Sequence, residues 1–255
     1  MPGLILAQES KVIFSPNLHA IEGIPLKDEL EPKVGLSVAV ENDNNVAAWG
    51  EFRFGTGSGA EHLLYVGLGT GIGGGIVMHG RLLRGAQGAG GELGHVTVQA
   101  TGPRCACGNR GCLEAYSSGS AIERRAREVA AEQPYSALGR LASERRVLGE
   151  DVGRLAREGD EASLSVLEEA GRWLGIGLAG FVNIFNPEVV AVGGGVMASG
   201  DLILKPAREE VYLRARSPGR DLVEVRQAIR GADSGVLGAA ALARDPSSGE
   251  YVLGP

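Results

Sequence analysis

The chain has 255 residues, 44% hydrophobic and 22% charged, a globular balance large enough for one big domain or two small ones around a real core. A net charge of −6 without any Lys/Arg-rich run argues against nucleic acid as a partner. No apolar run approaches the ~18 residues of a membrane span, and the opening MPGLILAQESK lacks a basic leader, so the expectation is a cytoplasmic protein that spans no membrane.

In chain order, Lys11–Phe14 and Val38–Val40 read as short strands and Pro25–Leu30 as a short helix. Glu41-Asn-Asp-Asn-Asn45 then leads into apolar Val46–Glu51, the pattern of a strand running into a capped helix. Residues 53–60 read as a loop. Leu63–Leu68 is a buried-type strand. After a glycine run, Ile76–Met78 and Arg81–Arg84 flank a His79-Gly80 turn as a hairpin. Residues 85–94 read as loop and His95–Val98 as a strand. Helices are expected at about 114–132, 136–147, 160–185, 200–215 and 234–244, with strands at Glu188–Val192 and Leu222–Arg226. Hairpin strands followed by alternating helix and strand define an α/β domain with a mixed sheet.

The 41 glycines make up about 16% of the chain, against ~7% in ordinary proteins, and no G-X-Y period runs through it. Twelve of them fall in the 28 residues from Gly67 to Gly94. Gly69-Thr-Gly-Ile-Gly-Gly74 formally matches G-x-G-x-x-G, but a strand pair rather than a helix follows, which argues against a dinucleotide fold. A glycine-rich turn between strands can still cradle phosphate oxygens with its N–H groups, Thr70 adding a hydroxyl; the alternative is a hairpin whose glycines serve tight packing. Gly193-Gly-Gly195, after a buried strand, is a second close-approach site or simply the tight turn that ends the strand.

All three cysteines lie in the pattern His95-x9-Cys105-x-Cys107-x4-Cys112. Cys3His is a standard tetrahedral zinc set, and four protein ligands would make the site structural. His19, His62 and His79 have no comparable company in the sequence and read as surface or turn residues. Asp43 is either a general base for a hydroxyl or a helix N-cap, with Asn42 placed to orient the same substrate. Glu92 and Glu114 bracket the metal loop and could face one polyol, or be solvated loop charges.

Taken together, these segments resemble the ROK family of sugar kinases, bacterial glucokinases in particular. The resemblance lies in Glu41–Asn45 (the family's E-N-D-A-N), Leu68–Val77, Arg84–His95, Cys105–Glu114 and Asn186–Gly195. It implies an actin/hexokinase-like, RNase H-like two-lobed fold that phosphorylates a hexose, glucose first, with ATP and Mg²⁺ around a structural Zn²⁺. It further implies Asp43 as the base, and Asn17, Asn42, Asp43, Glu92, His95 and Glu114 around the sugar. Gly69, Thr70, Gly71 and Gly73 would meet the phosphates, Gly194 and Gly195 the nucleotide, and His95, Cys105, Cys107 and Cys112 the zinc. A homodimer is also implied.

The family's opening Asp-x-Gly-Gly-Thr turn does not occur in these residues. The expected organisation is therefore an incomplete N-terminal sugar-binding lobe over 1–52, a nucleotide and zinc lobe over 53–245 and a tail over 246–255. On that reading the chain turns over little or not at all. The second reading is a non-catalytic, zinc-stabilised sugar-binding or regulatory relative.

Overall fold

A computed structural model describes residues 1, 3–6, 10–15 and 18–244; Asn17 and the tail 246–255 lie outside the described residues. Strands β1 (Leu4–Leu6) and β2 (Lys11–Phe14) form an antiparallel pair. With α1 (Leu26–Val34) they close over a small cluster of Ile5, Val12 and Val40. Val38–Val40 pairs with no strand among the described residues, and Glu31 Oε1 takes the Val38 N–H at 2.9 Å, a donor a ladder would have used. This corrects the strand expected there.

Helix α2 (Asp43–Phe54) leads into the main sheet: β3 (Leu63–Leu68), β4 (Ile72–Met78), β5 (Arg81–Leu82), β6 (Val189–Gly193) and β7 (Glu224–Gln227). Its order is β5-β4-β3-β6-β7; β4 runs antiparallel to β3 and β5, while β3, β6 and β7 are parallel. All six residues of β3 are buried because both faces are covered. Leu64, Val66 and Leu68 point into the large core shared with α4 (Gly119–Glu132), α7 (Glu161–Phe185) and α8 (Asp201–Arg214). Leu63 and Tyr65 point into the smaller core under α2 and α10 (Asp233–Arg244). The two-residue alternation of a strand thus sets which layer each side chain joins.

The other helices follow local chemistry. Asp160 caps α7 by accepting the Ser163 N–H, and Asn186 ends it in the left-handed conformation at φ 46°. The helix expected over 114–132 is two, α3 (Glu114–Ser117) and α4, broken where Ser118 caps the second through Ala121 N. After α5 (Ala137–Glu144), α6 (Gly149–Arg157) is a helix the sequence did not announce: its first turn holds glycine and its cap is Leu148, rescued by Asp151 accepting the Leu148 N–H at 3.0 Å. A four-residue helix, α9 (Gly219–Leu222), precedes β7. Residues 93–95 form a 3-10 turn rather than the start of a strand, with Thr97 bridging Cys112 beyond it. No helix among the described residues is long and apolar enough to cross a membrane.

Candidate active site at the carboxyl end of the central strands

β3 and β6 lie side by side and end together, at Leu68 and Gly193. The turn Gly69–Gly71 leaves β3 and is closed by Gly69 N–H donating to Gly71 O at 2.9 Å. Gly119 N–H, at the head of α4, donates to Gly69 O at 2.8 Å, and Ile72 N–H donates to Glu114 Oε2 at 2.9 Å. Gly194 follows β6 at φ 90°, where any side chain would collide with the Leu68 carbonyl. The 69–71 and 193–195 turns, distant in sequence, therefore meet at one point.

The glycine run has two different uses. Gly73, Gly74 and Gly75 are not turn residues: β4 begins at Ile72, and they sit within the strand opposite Gly67, Val66 and Tyr65. A Cβ at Gly73 would collide with the Asn44 amide, one at Gly74 with Gly91 O and Leu93, and one at Gly75 with Ala48 and the Asn44 backbone. Packing thus accounts for these three. At Gly69 and Gly195 no protein atom lies closer than 4.0 Å to the place a Cβ would take, so that space stays open to a ligand.

Asp43 opens α2. The cap is Asn42, whose side-chain oxygen accepts Asn44 N–H at 2.8 Å and Asn45 N–H at 3.1 Å, while its Nδ2 donates to Gly3 O at 3.0 Å. The capping duty falls to Asn42, and the Asp43 carboxylate is released from it. The second amide hydrogen of Asn42 has no partner among the described residues.

Glu92, His95 and Glu114 gather beside Asp43. Burial holds the Glu92 carboxyl above the usual range, His95 pulls it back, and the nearby charges of Glu114 and Asp43 raise it further. His95 Nε2 lies 3.9 Å from Glu92 Oε2, while its Nδ1 faces Cys105 Sγ at 3.7 Å. Cys105 Sγ donates to Glu114 Oε1 at 3.3 Å, so the cysteine loop and the carboxylate are joined.

His95, Cys105, Cys107 and Cys112 bring one donor atom each to within 4.8 Å of one another. Cys107 and Cys112 Sγ are 3.8 Å apart, which matches the roughly 3.8 Å edge of a tetrahedron with ~2.3 Å metal–sulfur bonds. Burial pushes the Cys105 thiol up to about 12 and raises Cys112, whereas a backbone hydrogen bond from Asn109 lowers Cys107. Three crowded thiols resist ionising together without a cation, and a dication at their centre removes that penalty. The donor set therefore fits a tetrahedral metal.

Two things escaped the sequence reading. Glu41 is half-buried and ties the start of α2 to the loop after β5: its Oε2 accepts Arg84 Nε–H at 2.6 Å, and its Oε1 accepts Asn42 N–H at 3.0 Å and Asn45 Nδ2–H at 2.9 Å. The signal was present in Glu41 and Arg84 each opening a motif, but their pairing was not. Second, His62 and His79 are not isolated; with Glu61 they form a cluster at the far end of β3 and β4. There His62 Nδ1 accepts the His79 N–H at 3.2 Å, so the neutral ring carries its proton on Nε2 and has no free lone pair for a metal.

Fold and site together define a sugar-kinase-type α/β protein. Residues 1–246 match the ROK family, and the chain belongs to it. It is 40% identical to a glucokinase of Thermotoga maritima over 97% of this chain and 78% of that protein. A ROK glucokinase from Streptomyces griseus, solved with glucose and AMPPNP, superposes with a TM-score of 0.84 at 40% identity, covering 95% of this chain and 79% of that one. The chain is also 33% identical to the xylose repressor of Bacillus subtilis, over 96% of its own length and 60% of the repressor's.

Proposed function

We propose that the protein transfers the γ-phosphoryl group of ATP to the 6-hydroxyl of a hexose, glucose first, and that the residues at the carboxyl end of β3 and β6 are where it does so. The observation that carries this is that Asp43, His95 and Glu114 all lie close enough to act on the Glu92 carboxyl, and that Glu114 also holds the residue leaving the glycine turn through Ile72 N–H. Sugar-hydroxyl ligands and a phosphate cradle thus share one site, and the 40% identical glucokinase was solved with glucose and an ATP analogue.

In this reading Asp43 accepts the proton of the hydroxyl as its oxygen bonds to the γ-phosphorus, and the bond to the bridging oxygen of ADP breaks in line. Glu92, Glu114, His95 Nε2 and the spare Asn42 amide hydrogen orient the sugar, with Asn17 assigned to it by resemblance alone. Thr70 and Gly71 N–H groups, which take no partner among the described turn and loop hydrogen bonds, face phosphate oxygens with Gly69; Gly73 contributes by letting α2 approach, and Gly194 and Gly195 leave room for the nucleotide. A Mg²⁺ entering with ATP would supply charge neutralisation on the phosphates. His95, Cys105, Cys107 and Cys112 would hold a Zn²⁺, which would fix the loop that presents His95 and Glu114. A cytoplasmic location fits three free cysteines. The homodimer rests on family resemblance, and equilibrium sedimentation tests it.

A coupled assay with ATP and glucose, N-acetylmannosamine or N-acetylglucosamine tests the proposal: ADP and glucose 6-phosphate are expected in equal amounts, at the low rate expected of residues that lack the Asp-x-Gly-Gly-Thr turn. Tight glucose binding with no ADP released would favour the regulatory reading. Elemental analysis is expected to give one zinc per chain, lost together with glucose binding in Cys112→Ser. A Cys107→Ser protein without zinc but with unchanged fold would count against a structural metal.

A further inference from the structure

Asn44 stands where the family motif quoted above has alanine, and its side chain is not idle. Its Nδ2 donates to Asp43 Oδ1 at 3.0 Å. Its backbone N–H reaches the same oxygen at 3.0 Å but is shared with Asn42 Oδ1 at 2.8 Å, which leaves the side-chain amide as the donor dedicated to Asp43. No hydrogen bond to Asp43 Oδ2 is seen among the described residues.

The amide reaches that position because the sheet makes room for it. Gly67 on β3 and Gly73 on β4 are directly opposed partners in the ladder. A Cβ on Gly67 would lie 2.5 Å from Asn44 Oδ1, and one on Gly73 would collide with Asn44 Nδ2. The asparagine therefore lies in the hollow left by a cross-strand glycine pair, with both ends of its amide confined. A side chain held on two sides and bonded to a carboxylate fixes the rotamer of that carboxylate.

We infer that Asn44 is a positioning residue for phosphoryl transfer: by pinning Oδ1 of Asp43 it presents Oδ2 as the oxygen that takes the hydroxyl proton. The inference rests on Asp43 being the base. It is distinct from a packing role, in which Asn44 only fills the space over Gly67 and Gly73.

Three variants of the full chain separate the possibilities, each assayed for kcat and KM with glucose and checked for melting temperature. Asn44→Ala is expected to lower kcat about 10- to 100-fold with KM for glucose nearly unchanged, since an unpinned carboxylate is misoriented rather than absent. Asn44→Asp keeps the shape but replaces the donor with a second carboxylate, and is expected to lose at least as much. A packing role predicts the reverse order, so an Asn44→Asp protein with wild-type kcat overturns the inference. If Asp43→Ala is inactive while both Asn44 variants turn over normally, positioning fails and the base survives. If Asp43→Ala turns over normally, the base reading fails and takes the inference with it. A readout independent of turnover is the Asn44 side-chain ¹H–¹⁵N pair in NMR. It is expected to move toward the free-asparagine position in Asp43→Ala; a pair unmoved by that substitution overturns the inference.

Discussion

Helix α2 carries two acidic residues eight positions apart, Asp43 and Glu51, and they are used in opposite ways. Asp43 is half-buried and, among the described residues, hydrogen-bonded on one oxygen only. Glu51 is fully buried, and its oxygens accept Thr56 N–H at 2.9 Å, Ile229 N–H at 3.3 Å, Arg230 N–H at 2.8 Å and Ser234 Oγ–H at 2.7 Å. Burial alone would push its carboxyl up; those hydrogen bonds outweigh burial and hold it below the usual value of 4.5. A carboxylate with every lone pair engaged is a fastener, here tying α2 to the loop after it and to the approach of α10. A carboxylate with one oxygen spare at a helix N-terminus is free to act as a reagent, the role proposed above for Asp43.

That contrast can be broken or sharpened by substitution. The largest effect is expected from Asp43→Ala: kcat falls about 10²- to 10⁴-fold, the range of a general base, while the melting temperature stays close to wild type. Steady-state kinetics and calorimetry on one preparation check both halves. Next is Glu51→Ala, expected to cost about 3 kcal/mol or more by stranding several buried donors, with a melting temperature lower by roughly 6–12 °C and sugar KM little changed below it. A Glu51→Ala protein as stable as wild type but catalytically dead would interchange the two roles.

A smaller effect concerns pH. Glu51 ionises more readily folded than unfolded, so its contribution is fully present above the unfolded value of 4.5 and is lost as pH falls through the lower folded value. Urea midpoints measured downward from pH 7 should fall below about pH 4.5 in wild type and flatten there in Glu51→Gln. The smallest effects come from the partner helix. In α10 a Cβ on Gly238 would collide with Val46 O and approach Gly50 N, whereas one on Gly235 meets nothing within 4 Å. Gly238→Ala is expected to destabilise by about 1–3 kcal/mol and Gly235→Ala to be neutral or stabilising by up to about 1 kcal/mol, as thermal melts would show.

What was legible in the sequence follows from how local each signal is. The zinc-type loop could be read because its four donors fall within 18 residues, His95 to Cys112. Asp43 could be singled out, but not separated from an N-cap until Asn42 was seen holding Asn44 and Asn45 N–H. The glycine run left a phosphate turn and a tightly packed hairpin open, and both occur: Gly73–Gly75 lie in β4 and are glycine because α2 and the 91–93 segment press on them. Glu51 was unreadable: three of its partners, at 229, 230 and 234, are 178 to 183 residues away. Helix α6 was missed because its cap works through the Asp151 side chain and not through a capping residue at position 148.

The most direct measurement of the central claim is a crystal structure of the protein with glucose and a non-hydrolysable ATP analogue. The account predicts the sugar between Glu92, His95 and Glu114, its 6-hydroxyl about 3 Å from Asp43 Oδ2, and the γ-phosphate against the Gly69–Gly71 turn. A sugar bound elsewhere, or one whose 6-hydroxyl lies away from Asp43 with the nucleotide in place, would contradict it.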